Sequence, residues 1–338
     1  MRGRREPGAK GPDASAAEAL TAWPYRLGLS FYRLGISAFF AGGGLCWLRK
    51  KYKTGLEQRV GNISGVPKGA LWVHAVSVGE VQSALPLVGE AEKRLPCVLS
   101  TVTATGRGMA ERLMPGTPMI YNPWDVPRFV SRALDALSPR AYAAMETERW
   151  PALLAELRAR GIPAFLVNGR LSEGSARRLS GQRAFWRGVL CCFEKLLVRF
   201  ESDRERFLGL GVPEGKIAVT GDCKVDAMFA RKAGTDAGKW SRLRRGNAPL
   251  FLAGSTHPGE DEIVLEAFRR VRERHPRVRL VVAPRHPERA ASVAELARSG
   301  LARSRVSPLS DAAGDWDVSV VDRVGVLFEL YPAADAAF

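Results

Sequence analysis

Two carboxylates fall where a hydroxyl nucleophile could be deprotonated. Glu80 closes the run His74-Ala75-Val76-Ser77-Val78-Gly79-Glu80, in which an apolar strand gives way to a helix. Gly79 permits a tight turn, and a carboxylate in a first helical turn meets the positive end of the dipole. At a strand's carboxyl end such a group is placed to act as general base, although support of the helical turn explains it equally. Glu146, in Met145-Glu146-Thr147-Glu148-Arg149-Trp150-Pro151, leaves another strand on the same expected edge. Glu148 reads as first-turn helix charge, with Pro151 acceptable in that turn. Asn168, Arg170, Ser172 and Ser175 follow a further strand and supply either ligand contacts or caps and turns.

A second set has phosphate chemistry. Ala253-Gly254-Ser255-Thr256-His257 sits where a strand yields to a helix, so backbone N–H groups there are open to an anion. Pro284-Arg285-His286-Pro287-Glu288-Arg289 follows the next strand, and Arg holds phosphate through a forked pair of hydrogen bonds. No G-x-x-x-x-G-K-[ST] loop occurs, and Thr105-Gly106-Arg107-Gly108 lacks the dinucleotide spacing. The four histidines, His74, His257, His275 and His286, have no metal-ligand spacing, so neither metal nor cofactor is expected. Five scattered cysteines fit no disulfide framework and indicate a reduced, cytosol-facing protein.

Alternating strands and helices must position these residues. LWVHAV (71–76), CVLSTVT (97–103), AYAAM (141–145), AFLVN (164–168), KLLVRF (195–200) and IAVT (217–220) read as buried strands, with helices over 81–94 and 151–160. PLFLAG (249–254), VRLVVA (278–283) and DVSVVD (317–322) form a second series, with helices over 260–274 and 288–298. The pattern predicts two α/β domains with parallel sheets whose carboxyl edges border a cleft. Residues 1–22 are expected as a basic disordered tail, 23–53 as a membrane anchor, 56–230 as the first domain, 231–247 as a linker and 248–338 as the second domain.

The anchor rests on the 22-residue stretch 27–48, interrupted only by Arg33 and flanked by Arg49, Lys50, Lys51 and Lys53. Formal net charge is +16, of which the first 60 residues carry +7, eleven basic against four acidic. That gradient favours an anionic membrane surface over nucleic acid, for which no aromatic-rich basic face or motif is visible.

WVHAVSVGE (72–80), TVTATG (101–106), YNPWDVP (121–127), METERWP (145–151), LVNGRLSEGS (166–175), VTGDCKVD (219–226), AGSTHPGE (253–260), PRHPER (284–289) and VVDRVGVLFELYPAAD (320–335) together resemble the 3-deoxy-D-manno-oct-2-ulosonic acid (Kdo) transferases of lipopolysaccharide synthesis. The resemblance implies a GT-B fold and transfer of Kdo from CMP-Kdo to a lipid A precursor, with inversion, at the cytoplasmic face of the inner membrane. It implies Glu80 as general base and Glu146 as a second required carboxylate. The blocks place Ser77, Gly79, Thr103, Thr105, Asn168, Arg170, Ser172 and Lys224 on the acceptor side. Ser255, Thr256, His257, Pro284, Arg285 and His286 fall on the nucleotide side. The family's GGHN…EP segment does not precede Phe338, so the second domain is expected to be incomplete. An inactive relative that only binds lipid A is the alternative.

Overall fold

Both sheets are all-parallel, which is why their strands read as nearly unbroken apolar runs: helices cover both faces. The computed structural model describes residues 12–44, 46, 48, 52, 54–233, 238–244, 246–301, 304–311 and 314–338. The chain divides into two units, Met1–Ala230 and Arg231–Phe338.

In the first unit β1 (Leu71–His74), β2 (Cys97–Thr101), β3 (Met119–Tyr121), β4 (Ala141–Met145), β5 (Ala164–Gly169), β6 (Lys195–Val198) and β7 (Ile217–Val219) take the order β3-β2-β1-β4-β5-β6-β7. Alternate side chains feed two cores. Trp72 and Tyr142 join Phe193 and Phe207 on one face, while Val73, Leu99 and Met145 meet Val81 on the other. The strand order reverses between β1 and β4, which pair in register from Leu71↔Ala141 to His74↔Ala144. Such a switch point is where doubly wound sheets bind ligands, and Glu80 and Glu146 follow its two strands.

In the second unit β8 (Leu250–Thr256), β9 (Arg279–Pro284), β10 (Val306–Pro308), β11 (Val318–Val320) and β12 (Ala336–Ala337) run in the order β10-β11-β9-β8-β12. β3, β10 and β12 were not expected, because two or three residues carry no legible period. The segment expected as a linker is partly structural: Trp240 and Leu243 lie in the second unit's core. Residues 234–237 and 245 of that segment lie outside the described residues.

The expected anchor is not supported as a bilayer span. Its apolar stretch forms a 17-residue helix, Trp23–Phe39, which ends in a turn where Gly42 and Gly43 leave helical geometry. No helix among the described residues is long and apolar enough to cross a membrane. The helix instead lies on the first unit, against Arg183–Cys191. A Cβ at Gly28 would sit 2.7 Å from the Phe185 ring, and one at Gly188 would sit 2.2 Å from Tyr25, so both glycines are needed for this approach. Tyr25 reaches Cys192 Sγ at 3.3 Å. The expected tail is likewise helical from Pro12 to Thr21. Ala16 and Ala19 pack on Cys191, and Arg187 donates to Ser15 Oγ at 2.9 Å. The flank Arg49, Lys50, Lys51 and Lys53 lies outside the described residues, as does 1–11.

Asp125 ties three elements together. Its buried carboxylate accepts from Ala152 N at 3.0 Å and Leu153 N at 2.8 Å, capping the Pro151–Ala159 helix, and from Tyr32 Oη at 2.8 Å. Asp125→Ala strands those donors and is expected to cost about 3 kcal/mol, as buried unsatisfied donors and lost caps do. Urea denaturation measures it, and a loss below about 1 kcal/mol would contradict this role.

Candidate active site

Glu80 lies in the first turn of the Val78–Ala91 helix, immediately beyond β1. Its side chain turns back so that Oε2 accepts from Val76 N at 2.9 Å, with Ser77 Oγ at 3.4 Å. Only 9% of the residue is exposed. Burial pushes its carboxyl up to about 7; Glu148 and Glu146 add to the rise, and the Val76 N–H is the larger of the opposing effects. A carboxylate poised near neutrality, with few partners, has the properties of a base.

Glu146 is held differently. Arg170 Nε at 3.1 Å and Lys224 Nζ at 3.1 Å both reach it, and Ser83 Oγ donates at 3.2 Å. Both of its oxygens are engaged, Oε2 by Arg170 and Oε1 by Lys224 and Ser83, so the carboxylate gathers two cations at this edge. Ser83 links the carboxylates, since it stands on the helix that carries Glu80. Sequence reasoning missed Ser83, although its i+3 spacing from Glu80 was the available signal.

The structure gathers Ser77, Glu80, Glu146, Arg170 and Lys224 at this edge. Asn168 is buried beside them, with Oδ1 accepting from Cys223 N at 3.0 Å and Nδ2 lacking a hydrogen-bond partner. Thr103 and Ser172 prove to be helix caps, accepting from Gly106 N at 3.0 Å and Ser175 N at 3.2 Å. Thr105 is exposed, and its hydroxyl donates to the Thr103 hydroxyl at 3.4 Å. Gly79 departs from expectation: it has no positive φ, and an added Cβ would meet nothing within 4 Å. What it leaves is open space beside Glu80. The close approach falls instead at Gly106, where a Cβ would lie 2.8 Å from Thr103 Oγ1 and 3.0 Å from Val76 O.

Backbone strain marks the same residues. Among the described non-glycine residues, positive φ occurs at Ser138 (41°), Glu146 (53°), Asn168 (55°) and Ser255 (61°). Three of these are candidate site residues. Such outliers persist where surrounding structure over-determines them, as at functional sites.

At the carboxyl edge of the second sheet, Ser255 forms an irregularity between β8 and β9. Thr256 Oγ1 is fully buried with no hydrogen-bond partner. Thr256 O accepts from Arg285 N and from Arg289 Nη1, each at 3.0 Å, and Arg289 also pairs with buried Asp261. Pro284 is buried at the end of β9. The Arg285 side chain is exposed, with no ion-pair or hydrogen-bond partner among the described residues, and His286 Nδ1 lies 3.6 Å from Glu288. One expectation changes here. The following helix, Glu260–Arg274, opens with Glu260, Asp261 and Glu262, and Glu260 Oε2 already accepts from His257 N at 2.7 Å. Its positive end is therefore met by the protein's own carboxylates, which corrects the expectation of backbone N–H groups open to an anion there.

Among the described residues no three His, Cys, Asp or Glu side chains form a metal-holding group. His74 is fully buried; burial pushes its pKa down to about 3, so it is neutral, with Nδ1 2.9 Å from Ser100 Oγ.

Two doubly wound, all-parallel α/β units with ligand-type edges define a GT-B-like fold. UDP-GlcNAc 2-epimerase from Neisseria meningitidis shares it at TM-score 0.57 and 14% identity, over 79% of this chain and 76% of that one. A second structure, described as a UDP-N-acetylglucosamine 2-epimerase, does so at TM-score 0.54 and 13% identity, over 80% and 73%. Residues 54–227 match the family model of 3-deoxy-D-manno-octulosonic-acid transferase (kdotransferase). Relatives named 3-deoxy-D-manno-octulosonic acid transferase include one from Haemophilus influenzae, 31% identical over 85% of this chain and 69% of its own length. Another, from Bordetella pertussis, is 34% identical over 82% and 67%. The chain belongs to the Kdo transferase family of glycosyltransferases. A bifunctional glycosyltransferase/methyltransferase from Fusobacterium nucleatum is also similar, at 28% identity, and this chain spans 47% of it.

Proposed function

We propose that this chain transfers Kdo from CMP-Kdo to a lipid A precursor, with Glu80 as general base. The observation that carries the reading is a mostly buried Glu80 raised to about 7, beside a Glu146 engaged by two cations. Glu80 takes the proton of an acceptor hydroxyl as that oxygen attacks the anomeric carbon of Kdo. The bond to the CMP phosphate breaks on the opposite side, which inverts the configuration. Arg170 and Lys224, held by Glu146, orient the reacting sugars. The nucleotide is assigned to Ser255, Thr256, His257, Pro284, Arg285 and His286, where Arg285 meets the charge growing on the phosphate. The test is incubation with CMP-Kdo and a lipid A precursor. CMP release only when both are present, with inverted linkage in the product, supports the reading; retained configuration or acceptor binding without release opposes it.

We further propose that the protein sits on an anionic membrane surface through the Trp23–Phe39 helix, lying along the interface. Trp23, Leu27, Phe31 and Leu34 are exposed and fall within one arc of that helix, opposite Tyr25, which is buried. Phe31→Asp is expected to weaken binding to anionic vesicles by about tenfold or more, since burying one Phe contributes roughly 1.5–3 kcal/mol. Co-sedimentation checks it; unchanged binding would remove this face from the account.

A further inference from the structure

Two adjoining pockets in the first unit have opposite chemistry. The first, about 380 Å³, is lined by Arg149, Arg170, Arg199 and Arg206, with Asp203 as its one acid. That acid is already committed: Oδ1 accepts from Leu171 N at 2.8 Å and Oδ2 from Arg199 at 3.2 Å, with Arg206 at 3.6 Å. The second, about 420 Å³, is walled by Tyr32, Trp150, Phe185 and Trp186. Phe185 and Trp186 stand edge to face at 5.1 Å. Thr147 and Arg149 line both pockets.

Arg149 is the residue its surroundings leave unsatisfied. Nε and Nη1 are buried and have no hydrogen-bond partner, and Arg199 Nε is in the same condition. Burial lowers the Arg149 pKa, with only Glu148 opposing, so the buried charge lacks full compensation. Several fixed guanidinium donors around one cup match the many acceptor oxygens of a phosphate. The aromatic walls next door match an apolar chain, with the Trp150 and Trp186 rings as large, stiff contact surfaces.

We propose that these pockets form one bipartite docking site for a phosphorylated amphiphile, phosphate among the four arginines and apolar chain along Trp150, Phe185 and Trp186, with Arg149 at the junction. Tyr32, on the Trp23–Phe39 helix, lines the aromatic pocket, so the apolar end of the site borders that helix. The arginine pocket adjoins the reacting edge through Arg170, which pairs with Glu146. Identifying this ligand as the acceptor rests on the transferase reading; the site itself does not.

Titration calorimetry on the full chain separates the possibilities, using dodecyl phosphate, inorganic phosphate and dodecyl maltoside below their micellar concentrations. One dodecyl phosphate is expected per chain, at least tenfold tighter than either other probe. Arg149→Gln should weaken it at least tenfold. Trp186→Ala should weaken dodecyl phosphate but leave inorganic phosphate unchanged. Ser175→Glu, at the rim, should repel both phosphates without disturbing the core. Equal affinity for inorganic phosphate and dodecyl phosphate, equal affinity for dodecyl maltoside, or wild-type binding in folded Arg149→Gln and Ser175→Glu overturns the site. If Arg149→Gln releases CMP normally while dodecyl phosphate binding is indifferent to all three changes, the docking site fails and the transferase reading stands. Arginine-dependent binding without CMP release has the reverse meaning.

Discussion

Glu80→Gln is expected to lower kcat for acceptor-dependent CMP release by about 10³-fold, the middle of the range for loss of a positioned general base. Donor affinity should be almost unchanged, because the nucleotide is assigned to the other sheet's edge. The amide keeps the carboxylate's shape and an oxygen for Val76 N–H, so the local fold should hold. Stability gives an independent check. The folded protein raises the Glu80 pKa from 4.5 to about 7, so it favours the protonated form. The cost of carrying the charge therefore grows as pH rises from 4.5 through about 7, and persists above it. Removing the charge should raise Tm at pH 8, not lower it. A variant that is inactive and less stable would indicate a structural role; one with near-normal turnover would remove Glu80 from the chemistry.

The second large effect is expected at Glu146→Ala. This residue gathers Arg170 and Lys224 at 3.1 Å each while Ser83 ties it to the helix bearing Glu80. Its loss leaves two cations without their shared partner and frees both long side chains. A fall of about 10²-fold in kcat/KM is expected, the scale of misplaced reacting groups. Glu146→Gln, which keeps the hydrogen bond to Ser83 and loses the charge, should fall between wild type and the alanine variant. Full activity in Glu146→Ala would assign the residue to backbone geometry alone.

Strand-end carboxylates and the strand–helix alternation were legible in the sequence because apolar runs and turn residues report directly on buried parallel sheets. Glu80 and Glu146 were picked out that way, and the resemblance set them apart, but the surroundings that distinguish them were not legible. Their surroundings differ by which cations lie near, and Lys224 is 78 residues away from Glu146 in sequence. Positive φ at Glu146 and Ser255 has no signature in those residue types, whereas Asn168 is of a type that adopts it more readily. The Trp23–Phe39 helix was misread for a related reason: an apolar run long enough to span a bilayer has the same composition as a helix docked on a protein. What distinguishes them is the interlock of Gly28 with Phe185 and of Gly188 with Tyr25, a contact between distant residues. Arg149 was hidden inside a recognisable block, since one arginine's unmet hydrogen bonds appear only once its neighbours are placed.

The pH dependence of kcat/KM for transfer, in wild type and in Glu80→Gln, tests the central claim most directly. Because the base works deprotonated, the wild-type rate should rise with pH to a plateau above about 7. The residual rate of Glu80→Gln should show no break there. A wild-type profile flat through neutrality, or the same break retained in Glu80→Gln, would contradict Glu80 as the group that takes the proton.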